Sequence, residues 1–123
     1  MTNAEFAEYF KDRTKQFALK TIKCFQCLPK TEEARIIGRQ LLRSATSTAA
    51  NYRAICRVRS DAEFFSKLSI VVEEADESVF WLEVLLESEI VRDSEISNAK
   101  SLLKESNEIL AVVASSRKTV RNN

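Results

Sequence analysis

The sequence contains no histidine, one glycine and one proline. Without histidine there is no imidazole for proton transfer near neutral pH, and the commonest metal ligand is missing. A β-sheet needs many chain reversals, which glycine and proline largely supply, so their scarcity leaves a few long helices joined by short connections. No apolar run approaches the roughly 20 residues of a membrane span. The first ten residues, Met1 to Phe10, are polar and acidic rather than signal-like, so a cytoplasmic protein is expected. The net charge is only +1. That excludes a domain that holds nucleic acid by bulk charge, and any such role must come from a local patch.

Motifs that carry chemistry are equally scarce. There is no glycine-rich phosphate loop and no nucleophile elbow. The acidic run Glu73-Glu74-Ala75-Asp76-Glu77 lacks the histidines that di-metal carboxylate bundles pair with their glutamates. Three cysteines cannot all pair within one chain, and Cys24 and Cys27 form a CxxC inside an apolar helical pattern. With Cys56 as the only further thiol, tetrahedral zinc would need a carboxylate or a second subunit, so reduced cysteines packed in the core are expected. The reading is of a protein that is not an enzyme and uses no metal or cofactor.

What is present is amphipathic periodicity over one domain, residues 1–123. The predicted helices are 3–28, 32–58, 61–89 and 94–117. Thr2 with Glu5 and Ser60 with Glu63 have the form of capping boxes, and Thr31 can cap the second helix ahead of Glu32 and Glu33. Phe6, Phe10, Phe17, Cys24 and Leu28 recur at helical spacing in the first helix. Ile37, Leu41, Ser44, Thr48, Asn51, Ile55 and Val58 form a seam on the second, with small residues crowding its middle. The third carries Phe65, Leu68, Val72, Ala75, Val79, Leu82 and Leu86 as a heptad stripe, and the fourth Ile96, Ala99, Leu103, Leu110 and Val113, with Leu102 and Ile109 widening it. The basic tail from Arg117 onward is expected to fray. Four such helices make an antiparallel up-down-up-down bundle, an all-α fold, the economical architecture. A second apolar set on the third helix, Ile70, Phe80, Trp81 and Val84, projects from the opposite side and predicts an interface between copies of the chain.

Charge is segregated along the sequence. From Ala34 to Ser60 there are six arginines and no acid, and from Leu68 to Val91 seven acids and no base. On a continuous helix Arg35, Arg39, Arg43, Arg53 and Arg57 fall within an arc of about 80° and a row about 33 Å long. Guanidinium forks match phosphate oxygens, so such a row can follow an RNA or DNA backbone. The competing reading is that these arginines meet Glu73, Glu74, Asp76 and Glu77, in the same subunit or the next, which leaves a scaffold whose partner is a protein. A third reading is an idle, solvated face. Tyr52 is the only aromatic near the row and points toward the core, so base readout has no support.

Several ordered blocks closely resemble the bacterial four-helix-bundle family named for the 23S ribosomal RNA intervening-sequence protein, also called S23-like. They are Leu28-Pro29-Lys30-Thr31-Glu32, Gln40-Leu41-Leu42-Arg43-Ser44-Ala45-Thr46-Ser47, Ala50-Asn51-Tyr52-Arg53-Ala54, Phe64-Phe65-Ser66-Lys67-Leu68, and Glu73-Glu74-Ala75-Asp76-Glu77 through Trp81-Leu82-Glu83. The resemblance spans about residues 10 to 115. It implies a cyclic homopentamer of four-helix bundles around a central axis, with no catalytic residues. A sister branch, the accessory variability protein of diversity-generating retroelements, binds RNA and a reverse transcriptase. The near-neutral charge of this chain departs from that strongly basic branch.

Overall fold

The computed structural model describes residues 1–122, with side chains to residue 120. Four long helices carry the fold: α1 (Asn3–Gln26), α2 (Glu32–Ile55), α3 (Asp61–Glu87) and α4 (Ile96–Asn122), with a single 3-10 turn, Asp93–Glu95, leading into α4. No strand occurs among the described residues.

Local chemistry sets the helix starts. Thr2 Oγ1 accepts the Glu5 N–H at 3.1 Å while Glu5 accepts the Thr2 N–H at 3.0 Å, a reciprocal capping box. Thr31 and Ser60 cap α2 and α3 from one side only, accepting from the Ala34 and Glu63 amides, so the box expected of Ser60 and Glu63 is not closed by a return bond. The ends lie further in than the periodicity suggests. α1 stops two residues before Leu28, which precedes Pro29. α2 stops at Ile55 rather than 58 because the chain must turn before Ser60. The tail expected to fray from Arg117 continues instead as helix to Asn122.

α3 ends on a left-handed residue. Glu89 has φ of 62°, the Glu89 N–H reaches the Leu86 carbonyl at 3.2 Å, and the Ile90 N–H reaches that of Leu85 at 3.3 Å. This is a Schellman closure with glutamate where glycine is favoured, and Ile90 packs its side chain back on the core.

Each helix packs against its sequence neighbour, and α4 closes back on α1 over a smaller area. The core holds Phe10, Phe17, Leu41, Ile55, Leu68, Val71, Leu82, Leu85, Ile109 and Val113. Expected stripes are displaced on three helices, and on α4 Leu103 and Leu110 are half-buried while Leu102 and Ile109 lie in the core. On α3 the buried set is Leu68, Val71, Ala75, Ser78, Val79, Leu82 and Leu85, so Phe65, Val72 and Leu86 are only half-buried. The helix lies between α2 and α4, and its buried arc faces the space between them rather than one partner. On α2 the buried face runs through Ala34, Gly38, Leu41, Ser44, Ala45, Thr48, Tyr52 and Ile55, with Ile37, Asn51 and Val58 at its margin.

Small residues let the helices approach. A Cβ on Gly38 would lie 2.7 Å from Leu28 Cδ1 and 3.0 Å from Phe25 Cδ1, so the end of α1 rests on this glycine. Between α2 and α3 the Ser78 hydroxyl donates to Ser44 Oγ at 3.0 Å, and Ser44 donates to the Leu41 carbonyl at 3.1 Å. Both serines are fully buried, and this relay satisfies them.

Replacing the left-handed Glu89 by glycine removes the Cβ penalty. Glu89→Gly is expected to stabilise the fold by about 1 kcal/mol, raising the thermal midpoint by about 4 °C in calorimetry.

Candidate nucleic-acid interface

α2 buries its small residues and turns its charged side outward. Arg35, Arg39, Arg43 and Arg53 stand exposed along it, with Ala50 exposed between them. Arg57 is also exposed but lies past the helix end at Ile55, in the turn. The structure thus places four of the predicted residues on one helical face and the fifth just beyond it. Thr46 is withdrawn from this surface, its hydroxyl donating to the Leu42 carbonyl at 2.8 Å.

One arginine of the row is engaged within the chain. Arg43 Nη1 lies 3.2 Å from Glu74, and its Nη2 meets Glu77. The hydrogen bond to Glu77 is the largest cause of a guanidinium pKa raised above its ordinary value. Among the described residues Arg35, Arg39, Arg53 and Arg57 form no ion pair, and neither do Glu73 and Asp76. The reason is register. The helices are antiparallel, and Ser44 opposite Ser78 with Arg43 opposite Glu74 and Glu77 sets the pairing. Carrying that register along at 1.5 Å per residue puts Arg53 level with the region of Lys67, before the acidic run begins. The far half of the row therefore faces no acidic stretch.

The apolar set on α3 divides in two. Ile70 and Phe80 are 45% and 53% exposed, whereas Trp81 and Val84 are half-buried. Trp81 packs on the core and meets Phe80 edge-on at 4.9 Å between ring centroids. Ile36, on the arginine side of α2, is 54% exposed and was not anticipated.

Tyr52 is buried edge-on against Phe10, 4.9 Å between centroids, and burial pushes its phenol up to about 12. It offers no platform for a base. The expectation that the cysteines pack in the core is corrected in part. Cys24 is half-buried, with its thiol pushed up to about 11 by burial, but Cys27 at the helix end and Cys56 in the turn are exposed. Helix termination explains both exposures. Among the described residues no cluster of three acidic or cysteine side chains is arranged to hold a metal ion. No described helix is long and apolar enough to cross a membrane.

Two features escaped the sequence. Arg13 of α1 bridges to α4, its Nε donating to Glu105 at 2.8 Å and its Nη2 to Glu105 at 2.7 Å and Glu108 at 2.9 Å. The partners are 92 and 95 residues apart, so no local spacing announces them. Alongside this clasp runs a half-open groove of about 660 Å³ between α1 and α4, where Lys20, Lys23 and Lys104 stand among Glu95, Glu105 and Glu108. Its charges offset one another.

Residues 10–112 match the model of the 23S rRNA-intervening sequence protein family. The crystal structure of a protein of unknown function from the S23 ribosomal protein family of Bacteroides thetaiotaomicron superposes with a TM-score of 0.79 at 30% identity, covering 91% of this chain and 97% of that one. Among curated proteins none matches.

The clasp carries a pH signature. The hydrogen bond from Arg13 holds the Glu105 carboxyl below its ordinary value of 4.5. A depressed folded pKa contributes stability above the unfolded value and loses it as pH falls through the folded one. Thermal stability is expected to decline below about pH 4.5. Glu105→Gln should cost about 1 kcal/mol at pH 7 and show a shallower acid decline in melts across that range.

Proposed function

Because the chain belongs to the 23S rRNA-intervening sequence protein family, we propose that it is a non-enzymatic, oligomeric four-helix-bundle protein of the cytoplasm that holds RNA by its phosphate backbone. The observation that carries this reading is the exposed arginine face of α2, on which Arg35, Arg39 and Arg53, with Arg57 beyond the helix, form no ion pair within the chain among the described residues. Arginine is always charged and presents its donors in a planar fork, so an unpaired row on a rigid helix suits a run of phosphates. The row reads backbone rather than bases, since the exposed face of α2 itself carries no aromatic for stacking.

Oligomerisation belongs to the same reading. Exposed Phe80 and Ile70 on α3, with Trp81 and Val84 beside them, support an interface between copies, and the assembly proposed is the pentamer around an axis that the family resemblance implies. Repeating a short row in each subunit multiplies the phosphates engaged by one RNA, which offsets the modest charge of a single chain. The second reading, an oligomeric scaffold that binds a protein partner, draws its support from Arg43, whose charge is taken up by Glu74 and Glu77.

The test is fluorescence anisotropy of a structured ribosomal RNA fragment, a random single strand and duplex DNA, each at two salt concentrations. Saturable RNA binding with a steep salt dependence is expected. Arg53→Gln should weaken binding alike across sequences and lower the salt slope by about one unit, and Arg43→Gln should do less because its charge is already paired. Absence of binding even at low salt would leave the scaffold reading. Phe80→Asp should lower the mass measured by light scattering.

A further inference from the structure

The turn between α2 and α3 brings two further cations, Arg59 and Lys67, beside Arg57 at the end of the α2 row. α2 ends at Ile55, and the Val58 N–H closes on the Ile55 carbonyl at 3.1 Å, holding the half-buried Val58 inward. Its neighbours Arg57 and Arg59 are thereby left outward and exposed. Ser60 then caps α3, whose second turn brings in Lys67. Together Arg57, Arg59 and Lys67 line a concavity of about 380 Å³ with Ala54, Val58 and Glu63.

Three cations here meet one acid, and none of the four forms an ion pair among the described residues. The negative end of α2 and the positive end of α3 adjoin at the turn and offset each other, so the local field comes from the side chains.

We infer that this concavity is a phosphate-binding pocket, formed by Arg57 and Arg59 from the turn and Lys67 from α3. Cations converging from two elements on one concave site suit a compact anion rather than an extended strand. A terminal phosphate monoester, close to a dianion at neutral pH, gains more from three cations than an internal diester with its single charge. The pocket lies where Arg53 and Arg57 end the row, so its ligand is a phosphate of the RNA proposed above. In that respect it rests on that proposal, although the pocket's chemistry does not.

The experiment compares two RNA strands of one sequence, labelled at the 3′ end, with a 5′-phosphate or a 5′-hydroxyl. The phosphorylated strand is expected to bind about tenfold more tightly, the scale of one charge-assisted hydrogen bond. Arg59→Gln and Lys67→Gln should abolish that difference, Lys67→Arg should keep it, and Arg39→Gln, at the far end of the row, should weaken both strands alike. Equal affinity for the two strands with an equal loss in Arg59→Gln and Lys67→Gln would assign the pocket to an internal diester. Unchanged binding in both variants would overturn the pocket while leaving the row intact. If neither RNA binds, amide shifts measured by NMR on adding inorganic phosphate decide independently: saturable shifts confined to residues around 57–67 sustain the pocket, and their absence overturns it.

Discussion

Two serine hydroxyls, Ser44 on α2 and Ser78 on α3, meet at the centre of the bundle with no exposure to solvent. Each hydroxyl also reaches a carbonyl of its own helix, Leu41 for Ser44 and Glu74 for Ser78, so the bond between them, made at only one offset of the two helices, favours that register by about 1 kcal/mol. The pair therefore acts as a register pin. Everything along this seam follows from it: Arg43 is carried to Glu74 and Glu77, while the last arginines of α2 are carried past the end of the acidic run. Small neighbours make the pin possible. Ala45, Thr48 and Ala75 are buried around it and keep the two backbones close enough for the hydroxyls to touch.

Charge segregation in the sequence thus becomes charge segregation in space, but only in part. Nearly equal numbers of bases and acids hide a surface on which one half of the α2–α3 face is internally balanced and the other half is cationic. An overall charge near zero limits nonspecific attraction, and a local patch retains short-range attraction within a Debye length of about 8–10 Å. A protein built this way engages a polyanion by contact more than by long-range steering.

The helices and their beginnings were legible because capping is a local interaction. Thr2, Thr31 and Ser60 each act on an amide three residues away, and nothing distant alters that. The exposed arginine face was legible for a similar reason, since angular position on a helix follows from residue number alone. Contacts set by the third dimension were not. Ser78 reads as polar and is core, because the position opposite it is another serine rather than a leucine. Arg13 carries no sign of its partners on α4, and the α3 stripe moved because that helix answers to two neighbours at once. The arrest of α2 at Ile55 took Arg57 out of helical phase and into the turn, where Arg59 and Lys67 became its companions.

The α1–α4 seam closes the bundle into a ring, and it is the seam with the least packing. Three seams join helices adjacent in sequence, so they form after short loop closures, whereas this one joins segments more than ninety residues apart. Loop-closure entropy grows only logarithmically with that separation, but a contact of small area has little to set against it. The Arg13 clasp is therefore the latch of this seam, tying α1 to α4 with three hydrogen bonds. Hydrogen exchange within the native state would reach the amides of α1 before those around the serine pin.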